Sequence, residues 1–202
     1  ASRFISAYSD DSIIKGYPVK AVFTTTARVR QNLNTIIFLG GSHGARAINN
    51  LALDVAQELQ KRNIRVIHQA GENDFQRVLQ AYKDLEIEVD LYAFTKDLPE
   101  LITQADFAVS RAGASTLWEL TTNGCPAFYV PYPYAAGDHQ FYNAKFIVDN
   151  NLGWCERESD TLQGEFLNTL ALPLEQKSRE LIAYTSSDVA TQMIEDVEVY
   201  IN

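Results

Sequence analysis

Three stretches of the sequence carry residue types and spacings suited to a phosphorylated ligand. The first is Gly40-Gly41-Ser42-His43-Gly44, which follows the apolar run Ile36–Leu39 and precedes a helical pattern from Ala45. Strand, glycine turn and helix in that order offer unpaired backbone amides and a positive helix end to an anion. The spacing is not the dinucleotide fingerprint, because G-x-G-x-x-G ending at Gly44 needs a glycine where Leu39 stands. The second stretch, Gly113–Glu119, is another glycine turn that opens a helix. Thr116-x-x-Glu119 fits a capping box, the reading that spacing alone favours. The alternative places the Glu119 carboxylate on a ribose, where it accepts from two hydroxyls. The third stretch, Pro131–Gln140, is too long for a tight turn. Its prolines fix the path, the Gln140 amide can read a sugar hydroxyl as donor and acceptor, and Asp138 fits equally as a helix cap.

Other polar residues are less directive. His43 and His139 lie in loops, where a histidine can transfer protons or simply be solvated, and no Ser-His-Asp order accompanies them. His68 falls in a strand pattern and reads as a core or edge residue. Arg46 can reach an anion or line a solvated helix face. No His, Asp or Glu cluster has metal-ligand spacing, so neither a metal nor a cofactor is expected.

The elements that must position these residues alternate. Apolar runs at Ile36–Leu39, Arg65–His68, Ile87–Tyr92, Phe107–Val109 and Ala127–Val130, with Gly153–Cys155 as an edge, read as strands. Between them, helical spacing covers about Ala45–Arg62, Asn73–Lys83, Leu98–Gln104, Thr116–Asn123 and Gln140–Asn150. Helical segments without strands follow at Leu162–Leu170, Leu174–Tyr184 and Val189–Ile201. Ahead of Thr35 the pattern is irregular, with a short strand at Phe4–Tyr8, a turn at Asp10-Asp11, an extended stretch at Gly16–Lys20 and a polar connector at Ala27–Asn34. This alternation predicts an α/β fold: a Rossmann-like, doubly wound parallel sheet with a helical carboxyl-terminal tail. Ligands of such sheets sit beyond the carboxyl ends of the strands, and all three glycine- or proline-marked stretches follow a strand.

Composition narrows the partners. The 202 residues carry a formal net charge of −9, which argues against a nucleic-acid partner, since phosphate backbones select basic surfaces. Cys125 and Cys155 belong to no metal or redox spacing and read as buried thiols. No apolar run approaches the roughly 20 residues that span a bilayer. The only methionine is Met193 and the chain opens at Ala1, which suggests a fragment or a processed product.

Three ordered segments, GGSHGARAIN, SRAGASTLWEL and GCPAFYVPYPYAAGDHQFYNA, resemble the carboxyl-terminal half of the MurG family. These are peptidoglycan glycosyltransferases with the two-domain GT-B fold. The resemblance implies the donor-binding half of an inverting transferase. Such an enzyme moves GlcNAc from UDP-GlcNAc to lipid-linked MurNAc-pentapeptide, converting lipid I to lipid II at the cytoplasmic face of the inner membrane. Residues 1–34 would be an interdomain connecting segment and 35–202 the UDP-sugar-binding domain. The acceptor domain, with the catalytic base and the membrane-binding patch, would lie in an amino-terminal half that this chain does not contain. By motif, Gly41, Ser42 and His43 would lie by the diphosphate, and Phe94 and Thr95 would meet uracil through the backbone. Ala114, Ser115 and Thr116 would hold the α-phosphate, Glu119 the ribose, and His139 and Gln140 the GlcNAc. Lys20, Arg46, Asn49 and Asn143 would be secondary contacts. Lys20 stands where the family usually has arginine, so a bidentate fork becomes a point charge. Competing readings are a nicotinamide oxidoreductase, disfavoured by Leu39 and by Gln69 in place of an acid after the second strand, a noncatalytic nucleotide-sugar sensor, and a UDP-GlcNAc epimerase-like enzyme.

Overall fold

A computed structural model describes residues 17–41 and 44–185. The expected strand at Phe4–Tyr8, the turn at Asp10-Asp11 and the helix at Val189–Ile201 lie outside those residues. Strands β1 (Thr35–Leu39), β2 (Arg65–Gln69), β3 (Asp90–Tyr92), β4 (Phe107–Ser110), β5 (Ala127–Tyr129) and β6 (Trp154–Cys155) form one sheet in the order β3-β2-β1-β4-β5-β6. Every pairing is parallel, with Ile37 opposite Ile67 on one side and Ala108 on the other. The order reverses between β1 and β4, which opens a crevice at their carboxyl ends.

The central strand TIIFL is buried along its whole length, as both faces of a parallel sheet must be. Its side chains alternate between two cores. Ile37 and Leu39, with Ala108 and Tyr129 from β4 and β5, join one cluster with Leu101, Ile102, Leu117, Trp118, Ile147 and Leu181. Ile36 and Phe38, with Phe107, Val109 and Phe128, join the other with Ile48, Leu51, Val55, Leu59 and Phe166. The first face is covered by α1 (Ala21–Thr25), α4 (Leu98–Gln104), α5 (Ala114–Thr122), α6 (His139–Asp149) and α8 (Leu174–Tyr184); the second by α2 (Arg46–Lys61) and α7 (Leu162–Thr169). Helix α3 (Phe75–Asp84) packs through Val78 and Tyr82 against Ala56 of α2.

Two boundaries differ from the sequence reading for identifiable reasons. The expected strand from Ile87 starts only at Asp90, because Ile87 N–H donates to Tyr82 O and Glu86 adopts φ 55°, closing α3 with a Schellman turn. Ala21–Thr25, unanticipated as a helix, docks Phe23 into the core. The stretch Ala27–Asn34 is irregular, as a connector should be, yet Arg30 within it is fully buried. All five N–H groups of its guanidinium are used. Nε donates to Ala105 O at 3.2 Å, Nη1 to Arg28 O and Asn123 O, and Nη2 to Ile102 O and Asn123 Oδ1. Several of these acceptors close the carboxyl ends of α4 and α5, where the helix dipole is negative and a cation is favoured. Alongside, Arg28 pairs with Asp106 at 2.8 Å, and the Asp106 carboxylate accepts from the amides of Asn34 and Thr35 at the start of β1.

Candidate functional site

The crevice is built from the loops that leave β1, β3, β4 and β5. After β1 the chain must turn close to its neighbour. A Cβ at Gly40 would lie 2.8 Å from Gln69 O, and Gly44, at φ 88°, would put one 2.7 Å from Ala70 O. The glycines are therefore required by packing as well as by any ligand. Helix α2 then starts with no side-chain cap and no acidic residue in its first turn, and carries the exposed Arg46 there. A cation at a helix amino terminus opposes the dipole, and the nearby Asp74 carboxylate, which accepts from Asn49, offsets part of that positive charge. Ser42 and His43 lie outside the described residues.

Asn49 faces inward. Its Nδ2 donates to Ala70 O (3.0 Å) and Asp74 Oδ2 (2.8 Å), and its Oδ1 accepts from His68 Nε2 (3.0 Å). His68 Nδ1 accepts from Tyr82 OH, so the ring is the neutral Nε2–H form. Burial drives its pKa down to about 3. Asn49 is thus the pin that holds the loops after β1 and β2, and does not offer its amide to a ligand. His68 is core, in an interior strand rather than at an edge.

The loop after β4 is held from beneath. Asn143, expected as a secondary contact, donates from Nδ2 to Ala112 O at 3.0 Å and so braces this loop. Arg111 Nη1 donates to Val130 O and Pro131 O and pairs with Glu158 at 2.7 Å, tying this loop to the one after β5. Helix α5 begins at Ala114, two residues earlier than its periodicity suggests, with Gly113 as N-cap and no side-chain cap. Thr116 is therefore already helical, and the capping box with Glu119 does not form. The amides of Ala114, Ser115 and Thr116 lack intrahelical partners and point out of the helix end. A Cβ at Gly113 would meet nothing within 4 Å, so the space beside the N-cap itself is open.

Ser115 and Glu119 stand one turn apart on α5 and share a face. Ser115 Oγ and Tyr17 OH share a hydrogen bond of 2.8 Å. The Glu119 side chain is half-buried and has no hydrogen bond or ion pair among the described residues. Burial raises its pKa, and the charge of the exposed Lys20 works in the opposite direction. A carboxylate stripped of part of its water, left without a partner and facing a cation is poised to accept hydrogen bonds.

In the loop after β5, Gln140 Oε1 accepts from Tyr132 N–H at 3.0 Å, leaving its Nε2 for another partner. The exposed His139 donates from Nδ1 to Ala136 O at 2.9 Å, which leaves Nε2 as an acceptor. Asp138 occupies the N-cap position of α6 but does not cap it. Its carboxylate turns instead to Arg157 at 2.6 Å. Beyond β3, Phe94 is exposed and Thr95 Oγ1 accepts from Asp97 N–H. Sequence reasoning missed Tyr17 and Arg111. The only signal for Arg111 was its place immediately after a strand, and nothing local pointed to Tyr17. A cavity of about 500 Å³ between α3 and β3, lined by Tyr82, Ile87, Val89 and Leu91, lies away from all these groups.

The sequence profile described as "Glycosyltransferase family 28 C-terminal domain" matches residues 35–197. The chain belongs to glycosyltransferase family 28. Among curated family 28 relatives, a protein of Sulfurimonas denitrificans is 55% identical over all of this chain and 59% of its own length. A protein of Sulfurovum sp. is 47% identical over 99% of this chain and 59% of its own. Both are named UDP-N-acetylglucosamine–N-acetylmuramyl-(pentapeptide) pyrophosphoryl-undecaprenol N-acetylglucosamine transferase. The chain spans about three-fifths of the length of these relatives. The crystal structure of Acinetobacter baumannii MurG superposes with a TM-score of 0.70 at 26% identity, covering 88% of this chain and 52% of that one. The glycosyltransferase SnogD from Streptomyces nogalater shares the fold, with a TM-score of 0.53 at 15% identity over 80% of this chain and 43% of its own. The expected α/β sheet and GT-B relationship are thus borne out, and this family 28 chain corresponds to the carboxyl-terminal half of MurG.

Proposed function

We propose that this chain is the donor-binding half of an inverting N-acetylglucosaminyltransferase. The whole protein would move GlcNAc from UDP-GlcNAc to the lipid-linked MurNAc-pentapeptide, lipid I, to give lipid II. The observation that carries the reading is on α5: free amides at Ala114–Thr116 and, one turn on, the unpartnered Glu119. That spacing suits a phosphate followed by a ribose. The names of the relatives support the same donor and acceptor.

The proposed chemistry follows from charge. As the sugar–phosphate bond breaks, UDP gains negative charge, and amides already fixed at the helix end stabilise it without reorganisation. Gly41, Ser42, His43 and Arg46 would supply the second wall of the diphosphate site. Phe94 and Thr95 would present backbone to uracil, and His139 Nε2 and Gln140 Nε2 would address the GlcNAc hydroxyls. The acceptor hydroxyl still needs a base and a second domain to position it. We place both in the remainder of the protein, together with the contact to the cytoplasmic membrane surface and the lipid acceptor.

Calorimetric titration of the 202-residue chain with UDP-GlcNAc, UDP-glucose and NAD tests the donor assignment. Preference for UDP-GlcNAc is the expected result. Binding of NAD with no binding of either UDP-sugar would overturn it.

A further inference from the structure

We infer that Tyr17 is a positioning residue of the donor site, orienting the Ser115 hydroxyl toward the ligand phosphate. The inference rests on the donor-site reading of α5. Tyr17 lies 98 residues from Ser115 in sequence, yet their hydroxyl oxygens are 2.8 Å apart at the start of the helix. The ring is held in place, since Tyr17 packs with Val19 and Val22 against the core cluster that contains Leu117 and Trp118. Three residues on, Lys20 acts electrostatically on Glu119, the other polar side chain on this face of α5. The segment ahead of β1 therefore addresses both Ser115 and Glu119 on that face.

Each hydroxyl has one proton to give and two lone pairs. Without ligand, either can donate to the other. A phosphate oxygen bearing full negative charge accepts only, so when it arrives the Ser115 proton turns to it. The Tyr17 proton then has one favourable acceptor, the Ser115 oxygen. The result is a directed chain from Tyr17 O–H to Ser115 Oγ, and from Ser115 O–H to phosphate, in which each bond polarises the next. Tyr17 makes Ser115 a better donor without touching the ligand.

The test is a double-mutant cycle on the full 202-residue chain, with UDP and uridine as probes. Tyr17→Phe keeps the ring and its packing, so the melting temperature should hold. UDP affinity should fall about two- to fourfold, because the Tyr17 bond is present with and without ligand and only its strengthening of the Ser115–phosphate bond is lost. Uridine, which has no phosphate, should bind as before. In a Ser115→Ala background, Tyr17→Phe should have no further effect on UDP. Three results would each overturn the inference: unchanged UDP affinity, equal losses for UDP and uridine, or an effect that adds fully to that of Ser115→Ala. Wild-type chain that fails to bind UDP at all would remove the donor-site reading itself, and this inference with it.

Discussion

Replacing Glu119 separates binding from stability more cleanly than any other change in this domain. Glu119→Gln keeps the shape and removes the charge. In the unliganded protein the carboxylate has no partner among the described residues, and its burial already disfavours the ionised form. Removing that charge therefore breaks no bond, and the change should stay within about 0.5 kcal/mol, or roughly 2 °C in Tm. In the proposed complex the same carboxylate would accept from two ribose hydroxyls. Charge-assisted bonds are worth about 1.5–3 kcal/mol each, of which part survives in Glu119→Gln because the amide oxygen still accepts one hydroxyl. A net loss of about 2–4 kcal/mol is expected, a weakening of roughly 30- to 1,000-fold. Calorimetry with uridine is the right assay, because uridine carries no phosphate that titrates alongside the protein. Wild-type affinity for uridine should fall as pH drops through the Glu119 pKa, which burial holds above the ordinary carboxylate range, whereas Glu119→Gln should be flat there. The linkage to folding has the opposite sense. A raised carboxyl pKa gives stability at low pH that is lost as pH rises through the folded-state value. A Tm drop of many degrees with unchanged uridine affinity would refute this reasoning and return Glu119 to a structural role.

Gln140→Glu retains the acceptor for Tyr132 N–H but loses the Nε2 donor. UDP-GlcNAc should bind more weakly and UDP nearly as before by calorimetry, and parallel losses would detach Gln140 from the sugar. His68 has a folded-state pKa of about 3 against an ordinary value near 6.5. The stability it contributes is full above pH 6.5 and is lost as pH falls toward 3, so urea midpoints should decline across that window and less steeply in His68→Gln. Arg30→Met takes one donor from each of the carbonyls of Ile102, Ala105 and Asn123, which keep a second donor in Ala105 N–H or Arg28, and takes the donor from Asn123 Oδ1, so it should cost about 2–4 kcal/mol in chemical denaturation. Arg30→Lys should not restore it, because an ammonium cannot reach the same five acceptors.

The strands and long helices were legible because their residues obey period 2 or period 3.6 against a shared core. Ile36–Leu39 is the plainest case, with alternate residues feeding opposite faces. The glycine turns were legible as turns, and their order along one sheet edge followed from parallel topology. What could not be read was anything set by contacts distant in sequence. The cap assigned to Thr116 fails because α5 starts at Ala114 with Gly113 as its N-cap, a choice that leaves the helix end open where spacing favoured closure. Asn49 looked like a ligand contact and is instead consumed by His68, Ala70 and Asp74. Arg30 sits in a polar stretch with no periodicity, and only the carbonyls of two helix ends explain why it is inside. Tyr17 is visible only once α5 is placed beside it.

The match to the family begins at Thr35, but a polypeptide trimmed to start there would be a poor transplant. It would lose Phe23 from the core and strip the Asn123 side chain of the partners it finds in Phe23 O and Thr26 Oγ1. It would also leave the floor beneath α4 and α5 without the cation that closes both helices. Anyone grafting this domain onto a different partner domain would need to cut ahead of Tyr17, so that the graft carries its own keystone.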